Sequence, residues 1–269
     1  MAALVGALAC NPFPSYDNLT GGLPGSTDGS TDGSASPSDA GADATVPFSC
    51  ADGAALFCET FENGLDSARW TAHLEPAAST AQVDAVRGYR GKALHVKTAP
   101  GLAGAQVPPK ASIETRLALP ETFHVRFFVY LSSTPAATDG NEPILTSLVE
   151  TKPPYPGMDL TVRGTTAPRT FGTNFWDTNV HLASRTPFTF DTWTCIERSV
   201  SPSVTRVSVW DKELDDLSVE QRPPRIDQAY FGISFGNQSP NPAVPAYEGW
   251  IDEIIIATGP IGCAAIAAP

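Results

Sequence analysis

The sequence predicts an all-β domain, a two-sheet antiparallel β-sandwich preceded by a disordered tail. Three observations lead to this prediction. Short apolar runs recur about every ten residues from Ala55 onward, with Pro, Gly, Asn and Asp between them. Val, Ile, Thr, Phe and Trp fill these runs, whereas the helix formers Lys, Glu, Gln and Met are few. No stretch keeps a helical period over three turns.

Residues 1–10, MAALVGALAC, resemble the end of a bacterial lipoprotein signal peptide: an apolar stretch, then small Ala9, then the cysteine that receives lipid. No Lys or Arg precedes Arg69, so the positive segment of such peptides is missing, and Ala7 stands where that motif has Leu. A start codon assigned too far downstream would explain the gap. The resemblance implies export and lipidation at Cys10, on the outer surface or periplasmic face of a bacterial membrane. The alternative is an ordinary apolar terminus.

Residues 11–46 form a linker rich in Ser, Thr, Asp, Gly and Pro, with a tandem STDG repeat from Ser26 to Gly33. Such a segment buries too little apolar surface to offset its ordering entropy, so we expect disorder. Its aspartates repel one another and extend it further. A flexible acidic spacer after a lipid anchor would hold a domain away from a membrane.

Residues 47–269 make up the predicted sandwich domain. Period-two alternation is clearest from His124 to Leu131 and from Thr205 to Asp211. The net charge of −12 disfavours nucleic acid as a partner, because neutralising phosphates requires a basic face. No apolar run reaches the ~20 residues of a membrane-spanning helix, so we expect membrane contact only through the lipid. We also expect a monomer.

The five cysteines divide into one and four. Cys10 stands alone, whereas Cys50, Cys58, Cys195 and Cys263 lie in the domain and suit disulfides in an exported protein. Cys50 and Cys58 could fasten the entry segment to the first strand. Cys195 and Cys263 would then join a central strand to the tail. Four cysteines allow three pairings, and the sequence does not choose among them.

Three segments in order resemble the concanavalin A-like, or LamG-like, jelly-roll proteins of bacterial surfaces. They are FCETFENGLDSARW from Phe57 to Trp70, VRGYRGKALHVKT from Val86 to Thr98, and WIDEIIIATGPIGC from Trp250 to Cys263. The resemblance implies a jelly roll. It does not imply one activity, since this fold serves lectins, carbohydrate-binding modules, glycoside hydrolases and polysaccharide lyases.

The same resemblance implies a structural calcium ion. Matching positions place Glu62 of the first strand and Asp252 of the last as its carboxylate ligands, with main-chain carbonyls near Arg87 to Tyr89. Calcium takes hard oxygen ligands, and two chain-distant carboxylates would tie both ends of the domain together. The alternative makes Asp252 an ordinary edge residue and Glu62 a turn cap.

Glycan binding is the first functional hypothesis, since sugar rings stack on flat apolar faces beside amide and carboxylate partners. Trp193 and Trp250 lie in the best strand patterns and are assigned to packing. Trp176 stands beside a polar turn and is the best candidate for a functional aromatic side chain. The candidate glycan ligands are Trp176, Asn174, Asp177, Arg163 and Tyr155.

A polysaccharide lyase acting on a uronic-acid-containing glycan is the alternative. Such an enzyme needs a Tyr or His base and a group that neutralises the carboxylate. His181 is one candidate base, and His124, Arg126 and Tyr130 share one strand face that could line a groove. The alternating carboxylates of a retaining hydrolase are absent. A structural or adhesion protein of the envelope is the third hypothesis, and binding without catalysis is favoured over catalysis.

Overall fold

The computed structural model describes residues 50, 55–133, 142–164, 168–220, 223–237 and 241–263. The predicted signal segment with Cys10 and the predicted linker lie outside the described residues, and both stay predictions. Short strands recur along the whole of the described chain, as expected. Within that part, no helix is long and apolar enough to cross a membrane.

The described residues of the domain form fifteen strands and one short 3₁₀ helix, Asp215–Leu217. The strands are β1 (Ala55–Glu59), β2 (Thr71–Glu75), β3 (Thr80–Asp84), β4 (Ala93–Lys97), β5 (Lys110–Arg116), β6 (Phe123–Leu131), β7 (Ile144–Val149), β8 (Gly157–Arg163), β9 (Thr170–Phe175), β10 (Val180–Pro187), β11 (Trp193–Val200), β12 (Thr205–Val209), β13 (Lys212–Glu213), β14 (Gln228–Ser234) and β15 (Glu248–Ala257).

The strands form two antiparallel sheets. The first sheet has the order β13-β12-β11-β6-β15-β4-β3, and β1 pairs with the C-terminal half of β15. The second sheet has the order β10-β9-β8-β7-β14-β5-β2. Both sheets combine hairpins of consecutive strands with pairs that are distant in sequence, such as β6 with β15 and β7 with β14, as in a jelly roll. The predicted all-β sandwich is confirmed.

The core lies between the inner faces of the two sheets. Phe127 of β6 meets Phe231 of β14 edge to face at 5.6 Å between ring centroids, and both are fully buried. Trp70 packs against Phe231 from the start of β2. Edge-to-face contacts of this kind stabilise beyond the area they bury. Most polar strand residues point outward, and buried Arg198 of β11 is an exception that reaches across to the second sheet.

The four cysteines of the domain, whose pairing the sequence left open, form two disulfides. Cys50 is bonded to Cys58, and Cys195 of β11 is bonded to Cys263 beyond β15. Disulfides of this kind persist in oxidising compartments and are typical of exported proteins.

Candidate functional site

A continuous row of polar side chains crosses the outer face of the second sheet, at right angles to its strands. Each member lies opposite the next in the strand register, from β5 at one side to β10 at the other. The row is Glu114, Tyr230, Ser147, Asp159, Asn174 and His181. At a strand spacing of about 4.8 Å, five steps span about 24 Å. We call this set the transverse row.

Trp176 lies beside the transverse row with its indole fixed in place. Its Nε1 donates to Asp159 Oδ2 at 2.8 Å, and its main-chain N–H donates to Gly157 O at 2.9 Å. The ring covers Gly157, where a Cβ atom would come within 2.8 Å of the indole carbon Cε3. Trp176 nevertheless remains 45% exposed. Because Gly157 lets the ring lie flat against the backbone and Asp159 holds its nitrogen, the Trp176 indole presents a rigid aromatic surface to solvent.

A cavity of about 430 Å³ adjoins this indole, within the size range of small-molecule sites. Tyr155, 57% exposed, and Tyr230 add aromatic surface, and Gln228 and Lys110 add polar groups. Tyr155 has a positive φ of 60°, which turns the 150–156 loop tightly here. The cavity therefore combines flat apolar surfaces with hydrogen-bonding groups.

Asp159 is the buried anchor of the row. Ser147 Oγ donates to its Oδ1 at 2.6 Å, which adds to the bond from Trp176. Burial raises the pKa of Asp159, and these two hydrogen bonds act against that rise. On the core side of the same strand, Arg198 donates to Asp159 O at 2.8 Å and to Thr173 Oγ1. Burial lowers the pKa of Arg198 to about 10, so its guanidinium stays charged at neutral pH.

Glu114, His73 and Tyr230 form a second group at the β5 end of the row. His73 Nε2 lies 2.6 Å from Glu114 Oε2, and the His73 ring lies 5.4 Å from that of Tyr230. Burial opposes ionisation of Glu114, yet hydrogen bonds from Gln228, His73 and Tyr230 lower its pKa. Burial and the adjacent Glu114 raise the pKa of Tyr230 to about 12. At neutral pH this end holds a carboxylate and a protonated phenol.

We predict that Glu114→Gln moves the pKa of Tyr230 down toward its ordinary value near 10, because the neighbouring negative charge is removed while burial remains. The measurement is a tyrosinate absorbance titration of Glu114→Gln with and without Tyr230→Phe, the difference isolating Tyr230. The control is the same titration of the wild type with and without Tyr230→Phe. An unchanged midpoint would mean that Glu114 does not act on the phenol.

His181 closes the other end of the row together with a cation and an amide. Its Nδ1 lies 2.9 Å from Asn174 Oδ1 and 3.4 Å from a terminal nitrogen of Arg163. Arg163 reaches both by lying along Gly172, where no Cβ blocks it. Burial and the charge of Arg163 lower the pKa of His181. Both effects favour the neutral imidazole, whose Nε2 lies 2.9 Å from Asn179 Oδ1.

The structure brings most of the sequence-predicted glycan ligands to one face. Trp176 and Tyr155 line the same cavity, Asn174 belongs to the transverse row, and Arg163 contacts Asn174. Asp177 follows Trp176 in the exposed turn between β9 and β10.

The three other predicted lyase residues do share one face of β6, but this is the outer face of the first sheet. His124 Nδ1 lies 2.8 Å from Glu197 Oε1, and Arg126 donates to Gly262 O at 3.3 Å. Tyr130 packs edge to face against Trp250. His181 therefore lies on the opposite side of the sandwich, and the structure does not join these four residues in one site.

The two predicted calcium ligands hold opposite ends of one loop. Asp252 is fully buried and accepts the N–H groups of Arg90 at 3.0 Å and Glu253 at 2.7 Å. Glu62 Oε1 accepts the N–H of Lys92 at 2.9 Å, while the Lys92 ammonium donates to Glu62 O. Burial raises the pKa of Asp252 to about 7.

This donor set does not fit a calcium ion well, because N–H groups and an ammonium occupy the oxygens that calcium would need. Among the described residues, no group of three or more His, Cys, Asp or Glu side chains is placed to hold a metal ion. The two carboxylates act here as a clamp on the 90–92 backbone. Calcium binding at Glu62 and Asp252 stays a prediction.

Several residues of the site were not singled out from the sequence: Glu114, Tyr230, Gln228, Ser147, Asp159 and His73. Their signal was present as polar residues at alternate positions of strands such as GMDLTVR, Gly157 to Arg163. Alternation shows that these side chains leave the core. It does not show which strands are neighbours, and the row exists only through that pairing.

The domain is similar in fold to solved structures, several of whose names refer to polysaccharides. The structure titled Cellulose induced protein, Cip1 matches with a TM-score of 0.62 and 15% identity, covering 77% of this chain and all of that one. LamAcat from Zobellia galactanivorans matches with a TM-score of 0.51 and 15% identity, covering 76% and 97%. The alginate lyase AlgAT5 of Polysaccharide Lyase family 7 matches with a TM-score of 0.50 and 10% identity, covering 74% and 98%.

No protein-family model matches the sequence, and no curated protein matches it either. At identities this low, likeness of structure speaks for the fold and not for the activity. The chain adopts a jelly-roll sandwich of the concanavalin A-like kind.

Proposed function

We propose that this protein is an exported glycan-binding protein whose binding site is the transverse row with Trp176. One observation carries the proposal: an indole that is 45% exposed yet fixed over Gly157 and hydrogen-bonded to Asp159. An aromatic surface held rigid before the ligand arrives loses little entropy on binding. Row members on either side supply amide, hydroxyl and carboxylate partners for sugar hydroxyls.

The fold and its relatives support a carbohydrate partner. Structures of the same architecture are titled as an alginate lyase and as an endo-β-1,3(4)-glucanase. The row spans about 24 Å, estimated from strand spacing, so it has room for an oligosaccharide rather than one sugar. Export is supported by the two disulfides. Tethering through lipidated Cys10 belongs to the same proposal.

The test of this proposal is retention of the full chain on a panel of immobilised polysaccharides, neutral and acidic, with affinity measured for each one retained. Binding to at least one polymer that is abolished by soluble oligosaccharide of the same type supports it. Absence of retention on every polymer, by a protein shown to be folded, would favour the structural or adhesion role.

A lyase is the second candidate, and the His181 end of the row favours it. A neutral imidazole beside Arg163 and Asn174 has the parts needed to remove a proton next to a uronate carboxylate and to neutralise that carboxylate. Tyr230 is not suited as base in the resting site, because its pKa is about 12.

If the lyase hypothesis holds, incubation with uronic-acid polymers produces unsaturated ends that are followed by ultraviolet absorbance. We expect His181→Ala to lower that rate by about 100-fold or more, the usual contribution of a general base, while retention on the polymer persists. His124→Ala, on the opposite sheet, is the matched control. Retention without turnover on any of these polymers would eliminate the lyase.

A further inference from the structure

We propose that the protein carries a second carbohydrate-binding site, a cleft that takes one neutral sugar ring between Trp193 and Trp210. The cleft lies at one side of the sandwich, between the segment that joins β10 to β11 and the turn that joins β12 to β13. It is separate from the transverse row, so this inference does not depend on the proposed function.

The backbone at Trp210, beside this cleft, has an unusual conformation. Trp210 and Asp211 form the two-residue turn of the β12–β13 hairpin, with φ angles of 49° and 62°. Turns of this type favour Asn and Gly, and a bulky aromatic residue with positive φ is a true outlier. Conformations of this kind cost energy and are concentrated at binding sites. Packing against Phe128 accounts for only part of the side chain, since Trp210 is 46% exposed.

The turn is braced by the disulfide between Cys195 and Cys263. The N–H of Trp210 donates to Cys195 O at 3.2 Å, and Asp211 Oδ1 accepts the N–H of Cys263 at 2.5 Å. Trp210 also meets Phe128 edge to face at 5.9 Å. One contact to each half-cystine holds the backbone of the turn, and the edge of Phe128 supports the exposed indole. A preordered aromatic side chain of this kind is an efficient binding surface.

The chemistry of the walls defines the ligand. Around the two indoles lie four threonines, Thr186, Thr189, Thr192 and Thr194, and none of the described residues that line the cleft is charged. An ionised ligand would lose its hydration here without a compensating charge. A purely apolar ligand would leave the hydroxyls unused. A neutral pyranose has both an apolar C–H face for an indole and hydroxyls for the threonines.

The size of the cleft sets the extent of the ligand. Its volume is about 240 Å³, below the ~300 to 1,000 Å³ of pockets that enclose drug-sized molecules. It therefore accepts one ring of a chain. A ring held here and a chain segment on the transverse row would let one molecule engage polysaccharide at two places, which raises the apparent affinity for the polymer over that for short oligosaccharides.

The test uses the indole N–H signals of the full chain, observed by nitrogen-15 NMR and assigned with single Trp→Phe variants. The probes are cellobiose, laminaribiose and glucuronic acid at millimolar concentration. We expect a neutral disaccharide to shift the Trp210 and Trp193 signals in the wild type and equally in Trp176→Ala. Thr192→Val, which removes one hydroxyl with little change in volume, should weaken this binding at least 3-fold, and Trp210→Ala at least 10-fold.

The control is Leu102→Ala, another exposed apolar residue, which should leave binding unchanged. Unshifted Trp210 and Trp193 signals with both neutral probes would overturn the proposal, as would a larger shift with glucuronic acid than with the disaccharides. Loss of the Trp210 shift in Trp176→Ala would show one site rather than two and would overturn it as well. Failure of the transverse row to bind leaves the Trp210 shift intact, so the two proposals fail separately.

Discussion

Trp176→Ala will abolish most glycan binding while leaving the fold unchanged. Truncating an aromatic residue at the centre of a binding site typically costs 2 kcal/mol or more, which is about a 30-fold loss of affinity. Trp176 is half exposed and contributes little to the apolar core, so we expect the fold to persist, with a modest fall in melting temperature because buried Asp159 loses its indole partner. The measurement is affinity for the best retained polysaccharide, with thermal unfolding of the same samples.

Gly157→Ala tests the same idea without removing the indole. The new Cβ atom would lie within 2.8 Å of the Trp176 ring, so the ring must shift and its bond to Asp159 is disturbed. We therefore expect weakened binding from a substitution that adds only one methyl group. Gly236→Ala is the control, because no heavy atom lies within 4 Å of a Cβ atom added there. Unchanged glycan affinity in Trp176→Ala would show that Trp176 is not part of the binding site.

The strands and the apolar core follow from local properties of the sequence. Alternation over His124 to Leu131 predicted both the strand and the face of β6 that carries His124, Arg126 and Tyr130. Trp250 and Trp193 were predicted to pack: Trp250 is buried, whereas Trp193 packs against Tyr89 and Tyr130 and is only partly buried. Cysteine parity separated Cys10 from the other four. These predictions need only neighbouring residues, because side-chain direction in a strand depends on position alone.

The site could not be predicted to the same degree because it depends on long-range pairing. Asp159 and Ser147 meet through adjacent strands, but Ser147 and Tyr230 meet only because β14 returns beside β7 after about 80 residues. A one-residue shift of either strand would turn its polar residues into the core. Trp176 was identified because its evidence was local: a tryptophan at a strand end beside a polar turn.

Removing the Cys195–Cys263 disulfide should cause the largest loss of stability. The bridge joins residues 68 apart, and the chain-entropy relation gives about 4 kcal/mol for a loop of that length. For a domain of this size that corresponds to a fall of roughly 8 to 16 °C in melting temperature. Chemical denaturation of Cys195→Ala/Cys263→Ala measures it, with Cys50→Ala/Cys58→Ala as the matched control, since that bridge spans only 8 residues and should contribute about 2.5 kcal/mol.

Noncovalent contacts of the tail decide whether the full loss is seen. Glu197 accepts the N–H groups of Ile261 at 3.2 Å and Gly262 at 2.7 Å, and Arg126 donates to Gly262 O. If these contacts hold the tail without the bridge, the free energy of unfolding will fall by less than about 4 kcal/mol. Adding Glu197→Gln to that variant will then bring the fall to about 4 kcal/mol. Equal losses from the two disulfide variants would contradict the loop-length argument. Because the turn of Trp210 and Asp211 is bonded to the main chain of both half-cystines, the Cys195→Ala/Cys263→Ala variant should also broaden the Trp210 indole signal, whereas Cys50→Ala/Cys58→Ala should leave it sharp.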